Sequence, residues 1–392
     1  MKTYKQIVED NRAWAEETFA KIDGKMSAVT LRSRDKLADG VDAAGVHKSV
    51  PARSWTSGFW GGLNWLLYEH TGKDEYMKTA MKSEELLDAA LADFEGLYHD
   101  VGFMWHILSG ASYRLTGNEK SKTRNLYAAS SLFSRFVLGG NFIRAWNDSS
   151  SKGWAQRPVN DWSIIDCMMN LPILYWASDV IGDDRFKRIA MAHADNTMRT
   201  HLREDGSVVH CVEHDRETGD VRETFGGQGY GVGSSWSRGQ SWALYGFALS
   251  YLHTGEERYL DASKRVANYF IANCCDDWLP RADFRAPAEP VYYDTTAGCC
   301  AACGLLELAR VLPENEGGMY AAAAVNMLKA ISERFADYSP ENDAMITHGT
   351  VRYPVPGLYP VEKCGVHISI IYGDYYFTEA ILKLLGSQFN PW

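Results

Sequence analysis

"GFWGGLNWLLYEHTGKDEYMKTAMKSEELLDAAL", residues 58–91, decides the fold. Its first half, up to His70, is apolar and aromatic nearly all round. Thr71 and Gly72 break it, and from Asp74 onward apolar and charged residues recur with a helical period. A helix that is apolar all round belongs inside a protein; an amphipathic one covers it from outside. A Gly directly after the last apolar turn predicts a left-handed helix end. The stretch therefore reads as a helical hairpin, inner helix first.

The hairpin recurs along the chain. Residues 101–136, "VGFMWHILSGASYRLTGNEKSKTRNLYAASSLFSRF", repeat it with Gly117 in the turn. Residues 163–202 form a third copy, and residues 238–273 a fourth with Gly255 in its turn. A divergent fifth joins "TAGCCAACGLLELARVL" (296–312) to "MYAAAAVNMLKAISERF" (319–335). The tail "SIIYGDYYFTEAILKLL" (369–385) supplies one more inner helix, and the amphipathic start "MKTYKQIVEDNRAWAEETFAKI" completes its pair. Six inner helices ringed by six outer ones predict an all-α fold, an (α/α)6 barrel. The partner supplied by the N-terminal helix favours a closed toroid over an open solenoid. Strands are minor: "GSVVHCVEHD" (206–215) and "VRETFGGQGYG" (221–231) read as a short hairpin or long loop. No linker divides the chain, so residues 1–392 are expected to form one catalytic domain.

Composition narrows the function. Hydrophobic residues make up 46% of the 392, enough for a large core, and there are 13 Trp and 21 Tyr. Many Trp in an acidic protein suit sugar-stacking surfaces, although each alone also fits a core spacer. A net charge of −10 without a long Lys/Arg run argues against nucleic acid and anionic membrane as partners. No stretch approaches the ~18 apolar residues of a membrane span. The N-terminal segment lacks an apolar signal core, so the expected location is the cytoplasm, or the periplasm if a signal has been removed. A monomer or dimer is expected. The eight Cys are Cys167, Cys211, Cys274, Cys275, Cys299, Cys300, Cys303 and Cys364. Cys300 and Cys303 make a lone C-x-x-C on a helical pattern, without the second pair or His that zinc requires. Buried thiols of a reducing compartment fit better. The His residues show no metal-ligand spacing, since His210 and His214 lie four apart in a probable strand or loop. No metal and no cofactor are expected.

In a toroid the loops entering the inner helices open on one side. Those loops carry Trp55, His99, Asp100, Trp162, Asp166, Trp236, Arg238, Trp242, Asp294 and Asp374, which are expected to converge on one cleft. Aromatics, carboxylates and an Arg suit an anionic sugar. Asp166 is the most informative. It lies in "DWSIIDCMMNLP" (161–172), among Ile164, Ile165, Cys167, Met168 and Met169. An acid there is costly unless it is paired. Read as a helix, the segment puts Trp162, Asp166 and Asn170 on one face, and Pro172 ends or kinks it. Asp166 is then either an acid satisfied by neighbouring helices or a proton-transfer group with a raised pKa. Asp100 fits a helix cap as well as a second carboxyl. Arg238 and Trp242, four apart, fit a packing pair or an anion anchor with a stacking surface. The Gly-rich "FGGQGYGVGSS" (225–235) lacks G-x-G-x-x-G and a Lys, so phosphate binding is not expected; Gln228 within it is a candidate sugar ligand.

Four of these motifs, "WTSGFWGGLNWLLYEHTG", "HDVGFMW", "NDWSIIDCMMNLPILYWAS" and "SSWSRGQSWALYGFALSY", together resemble the unsaturated glucuronyl hydrolases of glycoside hydrolase family 88. The resemblance runs from about residue 50 to the last helix, in the family's order, and implies the same (α/α)6 barrel. It implies release of 4,5-unsaturated glucuronic acid from the non-reducing end of lyase-generated, glycosaminoglycan-type oligosaccharides. The chemistry it implies is hydration of the C4=C5 vinyl ether rather than attack at the anomeric carbon. By motif, Asp166 is the general acid/base and Asp100 the second carboxylate. Trp55, His99, His210, Gln228, Trp236, Arg238 and Trp242 match positions that line the site. Burial and the nearby Asp100 are expected to raise the Asp166 pKa. Some members that act on sulfated fragments carry Ser-x-x-Ser-x-Lys before the last helix. The corresponding "LYPVEK" (358–363) keeps only Lys363, which removes this basis for preferring sulfated fragments. Two alternatives remain: an unsaturated rhamnogalacturonyl hydrolase acting on pectin fragments, and a non-catalytic toroid that binds acidic sugars.

Overall fold

The structure, a computed structural model, describes residues 2–148, 158–274 and 277–392. Cys275 lies outside the described residues. The helices are α1 (Tyr4–Arg32), α2 (Phe59–Thr71), α3 (Asp74–Leu91), α4 (Ala111–Thr116), α5 (Glu119–Phe133) and α6 (Pro172–Ile181). They continue as α7 (Arg185–Thr200), α8 (Ser237–Thr254), α9 (Glu257–Asn273), α10 (Thr295–Val311), α11 (Glu314–Phe335) and α12 (Ile371–Leu384). Inner and outer helices alternate as the repeat predicts. Helix α2 buries every residue from Phe59 to Leu67. Helix α3 buries only Tyr76, Thr79, Ala80, Ser83, Glu84, Leu87 and Ala90, a stripe at helical spacing. Each fully buried Leu or Phe on an inner helix stabilises the fold by about 2 kcal/mol. Gly72, Gly117, Gly182 and Gly255 end α2, α4, α6 and α8 in the left-handed region, at φ of 68°, 72°, 67° and 71°. A residue with a Cβ is strained in that conformation.

Helix α1 closes the ring against α11 and α12. Its Lys25, 1% exposed, donates to the carbonyls of Asp337 (2.8 Å) and Ser339 (2.9 Å). Thr30 donates to Asn64 Oδ1 of α2 at 2.6 Å. Along the barrel axis Phe59, Phe103, Trp242, Tyr372, Tyr376 and Trp392 pack ring against ring. Trp392, two residues past Asn390, stacks on Tyr376 and donates its indole N–H to Glu379 at 3.0 Å. Among the described residues no helix is long and apolar enough to cross a membrane.

Short strands decorate the barrel: β1 (Ala38–Val41) pairs with β2 (His47–Ser49), and β3 (Phe136–Val137) with β4 (Phe142–Ile143). The hairpin expected between the third and fourth copies is β6 (Cys211–His214) and β7 (Val221–Phe225), in register Cys211 to Phe225. It recruits a third strand, β5 (Trp162–Ile164), onto β6. This corrects the expected helix at 161–172. Trp162 is in a strand, Ile165–Met169 is a 3-10 turn, and Pro172 opens α6 rather than ending a helix. A Pro at the first helical position has no N–H to lose and a preset φ. Tertiary pairing overrides the local helical pattern: Ala145 N–H donates to Trp162 O at 2.7 Å, and Ile165 N–H to His210 O at 3.0 Å. The proposed single stripe of Trp162, Asp166 and Asn170 therefore does not exist. The second inner unit is also irregular, with π-helical Gly102–Gly110 running into α4.

Candidate active site

A cleft of about 640 Å³ opens at the barrel mouth, lined by Tyr98, Trp146, Trp162, His210, Cys211, Gly227, Gln228, Arg352 and Tyr359. The sheet builds one wall. Trp162 stacks on Phe225 of β7 at 4.2 Å between centroids, with planes 10° apart. The two rings meet face to face across β6, which lies between their strands, and the stacking holds both flat. His210, just before β6, stacks on Trp236 at 4.3 Å. Gln228 holds the imidazole from the other side, its backbone N–H 3.0 Å from Nδ1.

Asp166 stands beside His210, its Oδ2 3.4 Å from Nε2. That is an electrostatic contact, longer than a hydrogen bond. Asp166 Oδ2 is buried without a hydrogen-bond partner among the described residues. Asp100 precedes the π-helical segment and accepts from Asn170 Nδ2 at 3.1 Å. The same Asn170 amide donates to the Asp166 carbonyl (3.1 Å), and its Oδ1 accepts from Phe103 N–H (2.9 Å). Asn170 thereby ties the two acid-bearing segments together. His99 is fully buried, with Nε2 3.4 Å from Asp100 Oδ1. Burial holds its imidazole neutral, down to about 3.

The two buried carboxyls shift in opposite directions, which corrects the expectation of a raised Asp166. Burial pushes Asp166 up, but His210, His99 and Arg238 outweigh it and hold the carboxyl below its ordinary value. Asp100 lies well above its ordinary value, through burial first and the Asp166 charge second. Of the two, Asp100 is the carboxyl pushed toward its protonated form. For His210, burial opposes charge, and Cys211 and Asp166 together overcome it, moving the imidazole up to about 10. The Gln228 N–H lies against Nδ1, which leaves the Nε2 edge of His210 facing Asp166.

The other expected residues divide. Trp55 is half-buried against Phe103 and Tyr372 at the barrel mouth, with centroids 5.4 and 5.1 Å away. Trp242 is fully buried among Phe103, Tyr372 and Tyr376 and belongs to the axial core, not to the cleft wall. Arg238 packs over Trp236 at 4.3 Å rather than over Trp242. Its guanidinium is already engaged, pairing with Asp294 and donating to Thr350 O (2.7 Å) and Val351 O (2.8 Å). It positions the wall instead of standing free for an anion. Asp294 and Asp374 do not reach the cleft: Asp294 holds Arg238 and Thr296, and Asp374 accepts from Met345 N–H (3.0 Å) and Ile346 N–H (2.6 Å). Lys363 is exposed on a short turn and is not part of the lining. The lining residues missed from sequence are Tyr98, Trp146, Cys211, Arg352 and Tyr359. Tyr98 directly precedes His99 and Asp100, and Tyr359 lies inside "LYPVEK", so both had a local signal. Trp146 and Arg352 had none.

Comparison with known proteins bears on the fold and the family. The model of Glycosyl Hydrolase Family 88 matches residues 32–278. An unsaturated glucuronyl hydrolase of Bacillus sp. (strain GL1) is 34% identical over 380 residues, covering 94% of this chain and 97% of its own. The crystal structure of an unsaturated glucuronyl hydrolase from Bacillus sp. GL1, described as responsible for the degradation of glycosaminoglycan, superposes with a TM-score of 0.84. It is 32% identical, with 93% of this chain and 96% of that chain covered. An aspartate-to-asparagine mutant of the Streptococcus agalactiae enzyme, complexed with dGlcA-GalNAc6S, gives a TM-score of 0.78. Its identity is 25%, over 96% of this chain and 94% of that one.

Proposed function

The chain belongs to glycosyl hydrolase family 88, and from that premise we propose how its cleft works. The enzyme is an unsaturated glucuronyl hydrolase acting on glycosaminoglycan-derived unsaturated oligosaccharides. The whole chain acts as one catalytic domain. One observation carries the assignment of roles: the buried Oδ2 of Asp166 beside His210, without a hydrogen-bond partner among the described residues and tied through Asn170 to a second carboxyl, Asp100, that is pushed toward its protonated form.

The substrate's C4=C5 bond is an enol ether, so protonation at C4 leaves a cation shared by C5 and the ring oxygen. Asp166 donates that proton and then, as carboxylate, takes a proton from the water that adds at C5. The C5 hemiketal opens to a ketone, and the C1 centre collapses and expels the neighbouring sugar with its own oxygen. One water is consumed. Asp166 begins ionised, so its proton comes from the shared pair: the uronate displaces water and adds a negative charge, which raises Asp166. Asp100 then orients substrate hydroxyls. Trp162 offers a flat face to a sugar ring, and Gln228 and His210 fix the side of the alkene that meets the acid. Cytoplasmic action by a monomer or dimer completes the proposal, supported by buried thiols such as Cys167, Cys299, Cys300 and Cys303.

The test is loss of the ultraviolet absorbance of the conjugated uronate when enzyme meets lyase-derived disaccharides. Asp166→Asn is expected to bind the same disaccharide and to lose about 10³-fold in kcat. An Asp166→Asn variant with kcat within a few-fold of the parent would sink the assignment.

A further inference from the structure

We propose that Arg135, which does not line the cleft, is a positioning residue that fixes Tyr98 and Trp146 in the cleft wall and seats Asp100. This rests on the preceding reading of the cleft and deepens it. No motif singled Arg135 out. It follows α5, behind the wall, and is 5% exposed.

One guanidinium serves four acceptors. Nε donates to Arg144 O (2.9 Å) and Nη2 to Ala145 O (3.1 Å), while Nη1 donates to Asn147 Oδ1 (2.9 Å) and Leu97 O (3.4 Å). Two segments distant in sequence are thereby held on one planar fork. The first runs from Leu97 through Tyr98 and His99 to Asp100; the second runs from Arg144 to Asn147 and carries Trp146. Both Tyr98 and Trp146 line the cleft. The clamped carbonyls also tie the segments to each other: Ala145 O accepts from His99 N–H (3.1 Å), and Leu97 O from Asn147 Nδ2 (3.0 Å). Ala145 N–H joins both to Trp162 O of β5 at 2.7 Å, on the strand that leads to Asp166. Aromatic walls and acids are therefore set relative to one another from behind.

Charge separates this role from plain packing. Among the described residues no carboxylate lies within ion-pair distance of Arg135. Its neighbour across the β3–β4 hairpin is another cation, Arg144, whose N–H donates to Arg135 O at 3.2 Å. A buried charge without an acid is costly, so stability alone favours an apolar side chain here. What the charge supplies is a cation behind Asp100. Burial and Asp166 push Asp100 up, and Asn170, Arg135 and His210 pull it part of the way back. His99, Tyr98 and Cys167 also face that carboxyl.

The experiment measures kcat and KM against pH for the unsulfated unsaturated disaccharide of glucuronate and N-acetylgalactosamine. Parent enzyme, Arg135→Lys and Arg135→Met are compared, with urea denaturation to check folding. KM is expected to rise about tenfold in both variants, because neither side chain can bridge the Leu97 and Ala145 carbonyls. Only Arg135→Met is expected to move the alkaline limb of kcat/KM, and to higher pH. A positive neighbour favours the ionised carboxyl, so its loss raises Asp100 further, whereas Lys keeps the charge. A parental KM in the folded variants, or an unmoved limb in Arg135→Met, would make Arg135 a structural residue only and overturn the proposal. Should Arg135→Met not fold, Asn147→Ala carries the test. It unclamps Leu97 with the buried cation in place, and is expected to raise KM about threefold with the limb unmoved; a parental KM there overturns the proposal as well. If the parent enzyme clears no unsaturated disaccharide at all, the reading of the cleft itself fails. Variants that match a parent active on it overturn the role of Arg135 alone.

Discussion

Asp100 and Asp166 are equally deprived of water, yet they hold protons differently. His210, His99 and Arg238 surround Asp166, whereas at Asp100 burial and the Asp166 charge outweigh the Asn170 amide, Arg135 and His210. A single acid that later serves as base needs one proton on the two carboxyls together. Below the lower step both carboxyls are protonated and the base is missing; above the upper step both are ionised and the acid is missing. The upper step is set by the raised Asp100. Asp100→Asn removes that reservoir and a negative neighbour, so Asp166 ionises at lower pH. The alkaline limb of kcat/KM is expected to move to lower pH in this variant, whereas an unmoved limb would assign the proton elsewhere. A pH–rate profile on the unsulfated disaccharide decides it.

At the scale of elements, the wall of the cleft hangs on one buried ion pair between the start of α8 and the cap of α10. Arg238 and Asp294 are 1% and 0% exposed at the side chain. A buried pair gives little net stability against an apolar substitute, but removing one partner leaves a charge stranded. Asp294→Ala is expected to cost about 3 kcal/mol or more in urea denaturation. It should also weaken turnover, because Arg238 holds Val351 and, through it, the loop bearing Arg352. Full stability in Asp294→Ala would show that Arg238 finds another acceptor. The strand β5 is the other decisive element. It turns Trp162 flat against Phe225, where a helix would have aimed the indole along with Asp166.

For the molecule as a whole, the two chain ends complete what the repeats begin. Helix α1 supplies the sixth outer helix, and Trp392 plugs the axis from below with Phe103, Tyr245 and Tyr376 around it. Trp392→Ala opens a cavity there and leaves Glu379 without its indole donor. The expected cost is about 3–5 kcal/mol, read as a lower urea midpoint with an unchanged slope. A midpoint equal to the parent's would mean that the terminal indole is dispensable to the barrel.

The helical hairpins, their inner and outer order and the glycine turns were legible in the sequence because each follows from local periodicity. Apolar residues spaced for one face of a helix have one way to be buried, and a Gly past the last turn has one easy conformation. Asp100 and Asp166 could be singled out because each lies in a contiguous motif, whereas His210 was singled out only through the family resemblance and Gln228 as part of a Gly-rich loop. The tertiary structure alone decided the rest. Strand β5 forms because β6, more than forty residues downstream, offers it hydrogen bonds that a local pattern cannot foresee. Arg238 is engaged because Asp294, more than fifty residues away in sequence, lies against it. Asp100 is pushed up and Asp166 held down because charges distant in sequence meet in one dry cleft, where each sets the energy of its neighbours.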